Sequence, residues 1–321
     1  MKIMHLEESE IGELNSLLEN YEYDPYIKIS LFNKKQAKNY LFDRLISFYL
    51  KNKDTTLVAK DGNKIVGLIG YNKLDWDTKH FGFNIANLSY LIVEKQLYHE
   101  DIKIKSELLN FFSDWCIKES IKFVSAKIDA KDYSTIHALE SFGFNYISTV
   151  LTPLLDCRNL KDFKKTLNLR NAKKDEVELI AKIAEEVLEE NRFILDKGFD
   201  EQKSRKLHGE WVRNKYKNNP ENLYVLENDS EIIGFYIVTI EDISKYFGLK
   251  VAYLDLAGIS KKYIGKGYGI PLYTEMLNVL KSKGDIVYTD FIAQNLPVFS
   301  IYTSLGFKFS YSKIAMHKWF Y

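Results

Sequence analysis

A segment rich in lysine and glycine, between an apolar run and an amphipathic helix, has the composition of a phosphate-binding turn. It reads Ser-Lys-Lys-Tyr-Ile-Gly-Lys-Gly-Tyr-Gly over residues 260–269. Alternating glycines let successive backbone amides point into one concavity, and a helix beginning there adds partial positive charge. Lys261, Lys262 and Lys266 add mobile charge. The segment predicts a diphosphate receptor, although a plain flexible turn can have the same composition.

Two common nucleotide-binding motifs do not fit this segment. A Walker A loop ends in Gly-Lys-Ser/Thr, which is absent from this sequence segment, and the dinucleotide fingerprint has a different glycine spacing. The segment must therefore be interpreted from the elements around it. An apolar, β-rich run covers 251–259, and a helix is predicted over 270–283 with Leu272, Met276, Leu277 and Leu280 on its apolar face.

The same order of elements occurs twice in the chain. The first pair of hairpins aligns through Gly67 and Gly234, an offset of 167 (234 − 67). A second pair, Ser-Phe-Gly-Phe and Ser-Leu-Gly-Phe, aligns through Gly143 and Gly306, an offset of 163 (306 − 143). Two offsets this similar predict a duplication with small differences in loop length. The order β-α-α-β-β-β-α-β-α-β predicts a mixed α/β sheet in each copy.

Composition limits the class of protein. The 321 residues are 46% apolar and 28% charged, with a net charge of +1, so no global field favours nucleic acid or an anionic membrane. Cys116 and Cys157 fit no metal-ligand spacing and are predicted to be buried thiols in a reducing, cytoplasmic protein without a metal. The polar stretch 158–165 predicts domains of 1–157 and 165–321.

The second copy resembles the GNAT superfamily of acetyl-CoA-dependent N-acetyltransferases. The residues that carry the resemblance are Gly265, Gly267 and Gly269 of the turn, followed by Asn295, Tyr302 and Leu-Gly-Phe at 305–307. Ile264 replaces the Arg or Gln that usually opens the family's glycine motif. The resemblance covers about 165–321. It implies two tandem GNAT-like domains, each a mixed, mostly antiparallel sheet flanked by helices.

The resemblance also implies roles for individual residues. The family's strand before the glycine turn splays open, and Ala257, Gly258 and Ile259 match the stretch that pairs with pantetheine and polarises the thioester carbonyl. The residues that match the coenzyme A diphosphate site are Ile264, Gly265, Lys266, Gly267, Tyr268 and Gly269. Tyr302 matches the general acid that protonates the coenzyme A sulfur, and Asn295 matches a coenzyme contact. As alternatives, Tyr302 is an ordinary core tyrosine and Asn295 a plain residue at a helix N-terminus.

Asp255 is the candidate general base. It lies four residues before Ile259, so regular strand alternation predicts that both side chains share one face and that Asp255 points toward the acceptor amine. A structural ion pair or a solvated carboxylate is the alternative, and many amines need no dedicated base.

The first copy lacks the chemistry of the second. Opposite the glycine turn it has Gln-Leu-Tyr-His-Glu-Asp at 96–101, without glycine and with two acids. Leu139 stands opposite Tyr302 and Asp132 opposite Asn295, at the offset of 163 (302 − 139). The N-terminal domain is therefore predicted to be catalytically silent.

The acceptor is predicted to be the primary amine of a small molecule. Residues 74–83, with Trp76, Asp77 and Phe81-Gly82, resemble a Trp-Asp-x-x-x-Phe-Phe-Gly signature of the dTDP-fucosamine acetyltransferase family, whose acceptors are nucleotide-linked amino sugars. An aromatic turn packed beneath the sheet is the alternative. The region 191–211 is similar as well, and Arg192, Phe193 and Trp211 are its candidate substrate-binding residues. Another amine, or coenzyme A binding without turnover, also remains open.

Overall fold

The structure is a computed structural model that describes residues 1–94, 97–187 and 191–321. Gln96, at the start of the segment opposite the glycine turn, lies outside the described residues. The chain forms two compact units. The first consists of Met1–Thr149 with Tyr311–Tyr321, and the second of Val150–Ser310.

The first unit is built on a mixed sheet with the strand order β1-β2-β3-β4-β5-β13. Parallel pairing joins β4 to β5, whereas β1–β2, β2–β3, β3–β4 and β5–β13 are antiparallel. The strands are β1 (Lys2–His5), β2 (Thr56–Asp61), β3 (Lys64–Lys73), β4 (Ile85–Val93), β5 (Phe123–Asp129) and β13 (Lys308–Trp319).

Helices of the first unit pack on this sheet through apolar faces. They are α1 (Leu14–Leu18), α2 (Pro25–Lys28), α3 (Lys34–Lys51), α4 (Asp75–Phe81), α5 (Tyr98–Lys118) and α6 (Tyr133–Ser141). Leu108, Leu109 and Phe112 recur at helical spacing on α5 and are buried in one core with Leu139 of α6. Helix α5 runs for 21 residues from Tyr98 to Lys118, and no glycine or proline interrupts it.

The second unit repeats the sheet with the order β6-β11-β10-β9-β8-β7. Again one pair, β10–β11, is parallel, whereas β7–β8, β8–β9, β9–β10 and β11–β6 are antiparallel. The strands are β6 (Asn145–Asp156), β7 (Asn168–Asn171), β8 (Leu223–Asn228), β9 (Glu231–Asp242), β10 (Lys250–Ile259), β11 (Ile286–Tyr288) and the short β12 (Phe291–Ile292), which pairs with β6.

Helices cover both faces of the second sheet. They are α7 (Val177–Val187), α8 (Arg192–Leu195), α9 (Glu201–Asn218), α10 (Ser244–Phe247), α11 (Gly269–Leu280) and α12 (Leu296–Ser304). On one face, residues of α11 and α12 form a core with Tyr236, Leu254 and Val287. On the other face, residues of α7 and α9 form a core with Phe235 and Ile237. The predicted mixed α/β fold, flanked by helices and used twice, is confirmed.

Each unit contains a strand segment that the order of the chain would assign to the other unit. Residues 150–156 of β6 pair with β11 and β12 of the second unit, and residues 313–319 of β13 pair with β5 of the first. The predicted ranges of 1–157 and 165–321 differ from this arrangement. Alternating apolar residues indicate that a segment is a strand, but they do not indicate which sheet accepts it.

Both units share irregular features as well as regular ones. A β-bulge makes Ser89 the extra residue of β4 and Asp255 the extra residue of β10, an offset of 166 (255 − 89). The glycines that follow α4 and α10, Gly82 and Gly248, have positive φ angles of 85° and 67° at the same offset. Only glycine adopts this conformation without strain. The predicted duplication therefore extends to the backbone irregularities.

Cys116 and Cys157 are buried free thiols, as predicted. In the described ranges no helix is long and apolar enough to cross a membrane. Nor do the described residues contain a group of three or more His, Cys, Asp or Glu side chains that could hold a metal ion.

Candidate active site

The strand before the glycine turn separates from its parallel neighbour. Pairing between β10 and β11 covers Val251, Ala252 and Tyr253, whereas β10 continues to Ile259 along β9. Among the residues that the structure describes, no strand pairs with the outer edge of 257–259. That edge therefore presents main-chain groups that a ligand can bind.

The glycine turn connects this strand to α11. Gly265 and Gly267 have φ angles of 78° and 85°, and an added Cβ at either position meets nothing within 4 Å. The space beside both glycines is thus open to a ligand rather than filled by side chains. Because first-turn helix amides have no intrahelical acceptor, the N-terminus of α11 adds donors and partial positive charge.

Lysine side chains surround the turn. Lys261, Lys262 and Lys266 are all exposed. The ammonium of Lys262 forms an ion pair with Glu231 at 2.5 Å, and that of Lys266 lies 5.4 Å from the centroid of the Tyr263 ring. These flexible cations can approach phosphate groups in the open space beside the glycines.

Tyr302 lies at the point where β10 and β11 separate. Its side chain is 2% exposed, and its ring makes edge contacts with Tyr273 and Phe307 at 5.1 and 4.8 Å. Thr289, the residue after β11, donates a hydrogen bond to the carbonyl of Leu254 and also interacts with the Tyr302 hydroxyl. Burial, followed by the neighbouring Tyr273, raises the pKa of Tyr302 well above its usual value. The phenol is protonated at neutral pH, as an unperturbed tyrosine already is, so its hydroxyl carries a proton that it can donate.

Residues 182–307 match the acetyltransferase (GNAT) family. The chain carries a GNAT acetyltransferase domain. The predicted superfamily and enzyme class, an N-acetyltransferase, are thereby confirmed. The matched residues include the splayed strand, the glycine turn and Tyr302. No curated protein matches the sequence at a significant level.

Solved structures with the same fold support the tandem arrangement. The chain is similar to a GCN5-related N-acetyltransferase from Sphaerobacter thermophilus, with a TM-score of 0.67, 10% identity and coverage of 99% of this chain and 95% of that chain. It is also similar to a tandem GNAT protein from the clavulanic acid biosynthesis pathway, with a TM-score of 0.55, 12% identity and coverage of 99% and 98%. A glucosamine N-acetyltransferase region of a fungal multi-domain β-N-acetylglucosaminidase has a TM-score of 0.66 and 12% identity, with coverage of 99% and 38%. At these identities the similarity shows the fold.

The GNAT domain places Asp255 on a different face from the one predicted. The bulge makes Asp255 an extra residue, so that Asp255 and Leu256 both point toward α7 and α9. Ile259 packs in the opposite core, with α11 and α12. The prediction that Asp255 shares the face of Ile259 is therefore wrong, because a bulge shifts the alternation by one residue. The Asp255 carboxylate forms an ion pair with Lys215 at 3.0 Å.

Asn295 occupies the N-cap of α12. Its Oδ1 accepts a hydrogen bond from the backbone N–H of Val298 at 3.2 Å, the cap geometry that the sequence offered as the alternative role. Ile264, at the position of the usual Arg or Gln, is 58% exposed. It contributes an aliphatic surface beside the turn and no charge.

The three candidate substrate residues lie in different environments. Phe193 is 5% exposed and packs edge-on against Phe199 at 5.0 Å, so its ring belongs to the interior of the domain. The guanidinium of Arg192 lies 4.7 Å from the Phe193 ring centroid. Trp211 is half-buried on α9, one turn before Lys215 on the same helix face.

The segment 74–83 belongs to the first unit and forms α4 with its terminal glycine. Phe81 is buried, and the Thr78 hydroxyl accepts a hydrogen bond from the N–H of Ile85 at 2.9 Å. Trp76 is 43% exposed and stacks on His80, with 6.0 Å between ring centroids. Phe81 anchors the segment in the core, whereas Trp76 is its exposed aromatic residue and His80, which stacks on it, is half-buried.

The first unit has different side chains at the positions that correspond to the GNAT site. Its α5 is 21 residues long, whereas α11 is 12 residues long and begins at the glycine turn. The Lys105 ammonium is buried on α5 and donates to Ser134 Oγ at 2.7 Å, with carboxylate oxygens of Asp101 and Asp132 at 3.2 and 3.4 Å. Leu139, opposite Tyr302, is fully buried and carries no proton to donate.

His208 gives the GNAT domain a pH-dependent stability. It is 6% exposed on α9, and its Nδ1 has no hydrogen-bond partner in the described part of the chain. Burial lowers its pKa from 6.5 to about 4. As the pH falls, the His208 side chain therefore binds a proton near pH 6.5 in the unfolded chain but only near pH 4 in the folded domain.

We expect the free energy of unfolding to be constant above pH 7 and to fall by up to about 3 kcal/mol between pH 6.5 and pH 4 on account of His208. Urea denaturation across this range measures the loss. A His208→Leu variant should have a flatter profile, whereas His99→Gln, at an exposed histidine, should keep the original slope. An unchanged profile in His208→Leu contradicts this prediction.

Sequence reasoning missed two residues that surround the splayed strand. Lys215 and Thr239 contact Asp255 from α9 and β9. The four-residue spacing between Trp211 and Lys215 was a usable signal, since it places both on one helix face. Thr239 had no signal, because its contact depends on the bulge.

Proposed function

We propose that this chain transfers the acetyl group of acetyl-CoA to a primary amine of a small molecule, with its active site in the second unit. The observation that carries the proposal is the splayed edge of 257–259, which leads into an open glycine turn and whose Ala257 and Ile259 side chains pack in the same core as Tyr302. Thioester aminolysis needs a polarised carbonyl, a neutral amine and a proton for the thiolate.

In this proposal the glycine turn, the splayed strand edge and Tyr302 each have one role in the transfer. Backbone amides of Gly265, Gly267 and Gly269, together with Lys261 and Lys266, hold the coenzyme A diphosphate. Main-chain groups of 257–259 pair with pantetheine, and one N–H polarises the carbonyl. The amine forms a bond to the carbonyl carbon as the carbon–sulfur bond breaks, and Tyr302 gives its proton to the departing thiolate.

Asn295 contributes to this site by fixing the start of α12, the helix that carries Tyr302. Ile264 adds apolar surface in place of a charged contact, so that the lysines and backbone amides supply the attraction for phosphate. Loss of the usual Arg or Gln at this position also supports the second candidate, coenzyme A binding without turnover.

The acceptor class to test first is a nucleotide-linked amino sugar. In this proposal the protein encounters such sugars in the cytoplasm. The similarity of 74–83 and 191–211 to the dTDP-fucosamine acetyltransferase family supports this choice, and Trp211 is half-buried on α9, four residues before Lys215. The buried Phe193 favours the alternative of another amine, such as an amino acid, a polyamine, an aminoglycoside or a protein N-terminus.

A continuous assay of thiol release from acetyl-CoA with a panel of these amines tests the proposal. Amine-dependent turnover supports it, and the best acceptor identifies the class. If acetyl-CoA binds in calorimetry but no amine accelerates thiol release, the binding function without turnover is favoured. Absence of acetyl-CoA binding contradicts the proposal as a whole.

We further propose that the first unit does not bind acetyl-CoA, since its helix α5 extends where the glycine turn should be and Lys105 is neutralised internally. Isothermal titration calorimetry is then expected to give one acetyl-CoA site per chain. Two equivalent sites, or a site that persists after both turn glycines are replaced, contradict the silent first unit.

A further inference from the structure

An ammonium group is already bound on the α9 face of the splayed strand. The Nζ of Lys215 donates to Asp255 Oδ2 at 3.0 Å and to Thr239 Oγ1 at 2.7 Å. The Thr239 hydroxyl donates in turn to the same carboxylate oxygen. The side chain of Asp255 is 9% exposed and that of Lys215 is 26% exposed, so this pair is largely shielded from water. A carboxylate and a hydroxyl that converge on one ammonium make a recognition site for a primary amine.

The position of this ammonium matters as much as its partners. Asp255 is the extra residue of the bulge and lies two residues before Ala257 on β10. The glycine turn leads into α11, and α11 covers the opposite face of the sheet from α9. A thioester held along 257–259 from the α11 side is therefore approached by an amine from the α9 side.

We infer that Asp255 and Thr239 form the subsite for the ammonium group of the acceptor, and that Lys215 occupies this subsite in the free protein. The inference rests on the proposed acetyl transfer. The ligand class is a primary amine on an unbranched carbon, because it must reproduce the end of a lysine side chain. Lys215 acts as an internal competitor that the acceptor displaces.

This subsite gives Asp255 a defined part in the reaction. An acceptor that replaces Lys215 places its R–NH3⁺ group on Asp255, which takes one proton and leaves a neutral amine. As the carbon–nitrogen bond forms and the carbon–sulfur bond breaks, Tyr302 gives its proton to the departing thiolate, and the resulting phenolate takes the second proton from the nitrogen. Asp255 then releases its proton to solvent, so that one proton is produced for each acetyl group transferred.

A chemical-complementation experiment tests the inference with the full chain. The variant Lys215→Ala removes three methylenes and the ammonium, and n-propylamine has the size to fill the space. If Lys215 occupies the subsite for about nine-tenths of the time, its removal lowers KM for an added amine about tenfold. Propylamine-dependent thiol release, with N-propylacetamide identified by mass spectrometry, is expected to rise accordingly in Lys215→Ala over the parent protein.

Two further variants distinguish a subsite from a general effect on stability. Lys217→Ala removes an exposed lysine of the same helix and should leave the rate with propylamine unchanged. Adding Asp255→Asn to Lys215→Ala should abolish the gain, because the amide carries no charge to hold an ammonium. KM for acetyl-CoA should stay the same in Lys215→Ala.

The outcomes separate this inference from the proposed function. If Lys215→Ala binds acetyl-CoA like the parent protein but acetylates propylamine no faster, the subsite is refuted and the acetyl transfer stands. If the gain persists in the double variant, Asp255 is not the ammonium ligand and the inference is refuted. If neither the parent protein nor Lys215→Ala binds acetyl-CoA, both the proposed function and this inference are refuted.

Discussion

Replacing Tyr302 by phenylalanine is expected to lower kcat by about 10²–10⁴-fold, the usual contribution of a general acid. The ring keeps its edge contacts with Tyr273 and Phe307, so the packing of the core is preserved. The variant loses the hydroxyl whose proton the buried phenol can give to a departing thiolate. Thiol release at saturating amine measures kcat, and calorimetry measures the dissociation constant for acetyl-CoA.

Tyr273→Phe is the matched control for this prediction. It removes the neighbouring phenol, whose pKa is also raised by burial, from the same aromatic cluster. We expect its kcat to stay within about threefold of the parent value, well below the loss expected for a general acid. Equal rates in the two variants, or a Tyr302→Phe variant as fast as the parent, would falsify the assignment of Tyr302 as the acid. A weakened affinity for acetyl-CoA in Tyr302→Phe alone would instead indicate a structural role.

A double substitution in the glycine turn, Gly265→Ala with Gly267→Ala, is expected to raise Kd for acetyl-CoA by at least about tenfold. Both residues have positive φ angles, which cost an alanine about 1–2 kcal/mol each. The turn must therefore abandon the conformation that gathers its amides, and a loss of 1.4 kcal/mol already corresponds to a factor of about ten in affinity. Each added methyl also intrudes on the open space beside the turn.

Gly143→Ala in the first unit is the matched control. Gly143 has a φ angle of 77° and open space around its Cβ position, so the local strain is the same. We expect both proteins to lose a similar amount of stability per substitution in urea denaturation, whereas only the turn variant loses affinity in calorimetry. An unchanged Kd in the turn variant shows that the coenzyme does not bind there.

The duplication and the glycine turn could be predicted from local sequence. A glycine at a positive φ angle and a helix with apolar residues at 272, 276, 277 and 280 both follow from residues close in sequence. Gly143 and Gly306 occupy equivalent left-handed positions in the two units, as their shared Gly-Phe pattern indicates. Short-range backbone preferences decide such features, and a sequence shows them directly.

The surroundings of Tyr302 could be predicted only in part. Its motif matched the family's general acid, and the structure adds the Tyr236 and Tyr273 rings and the contact with Thr289. These partners come from β9, α11 and the end of β11, which are distant in sequence. The raised pKa of the Tyr302 phenol is therefore a property of the fold.

The sequence by itself determined the class of fold, the repeat, the glycine turn and the motif around Tyr302. Tertiary structure alone decided the face of Asp255, the pairing of Lys215 with it, and the exchange of β6 and β13 between the units. The physical reason is the same for each. A bulge shifts side-chain alternation only through its pairing with another strand, and a strand finds its sheet only through register with a distant partner.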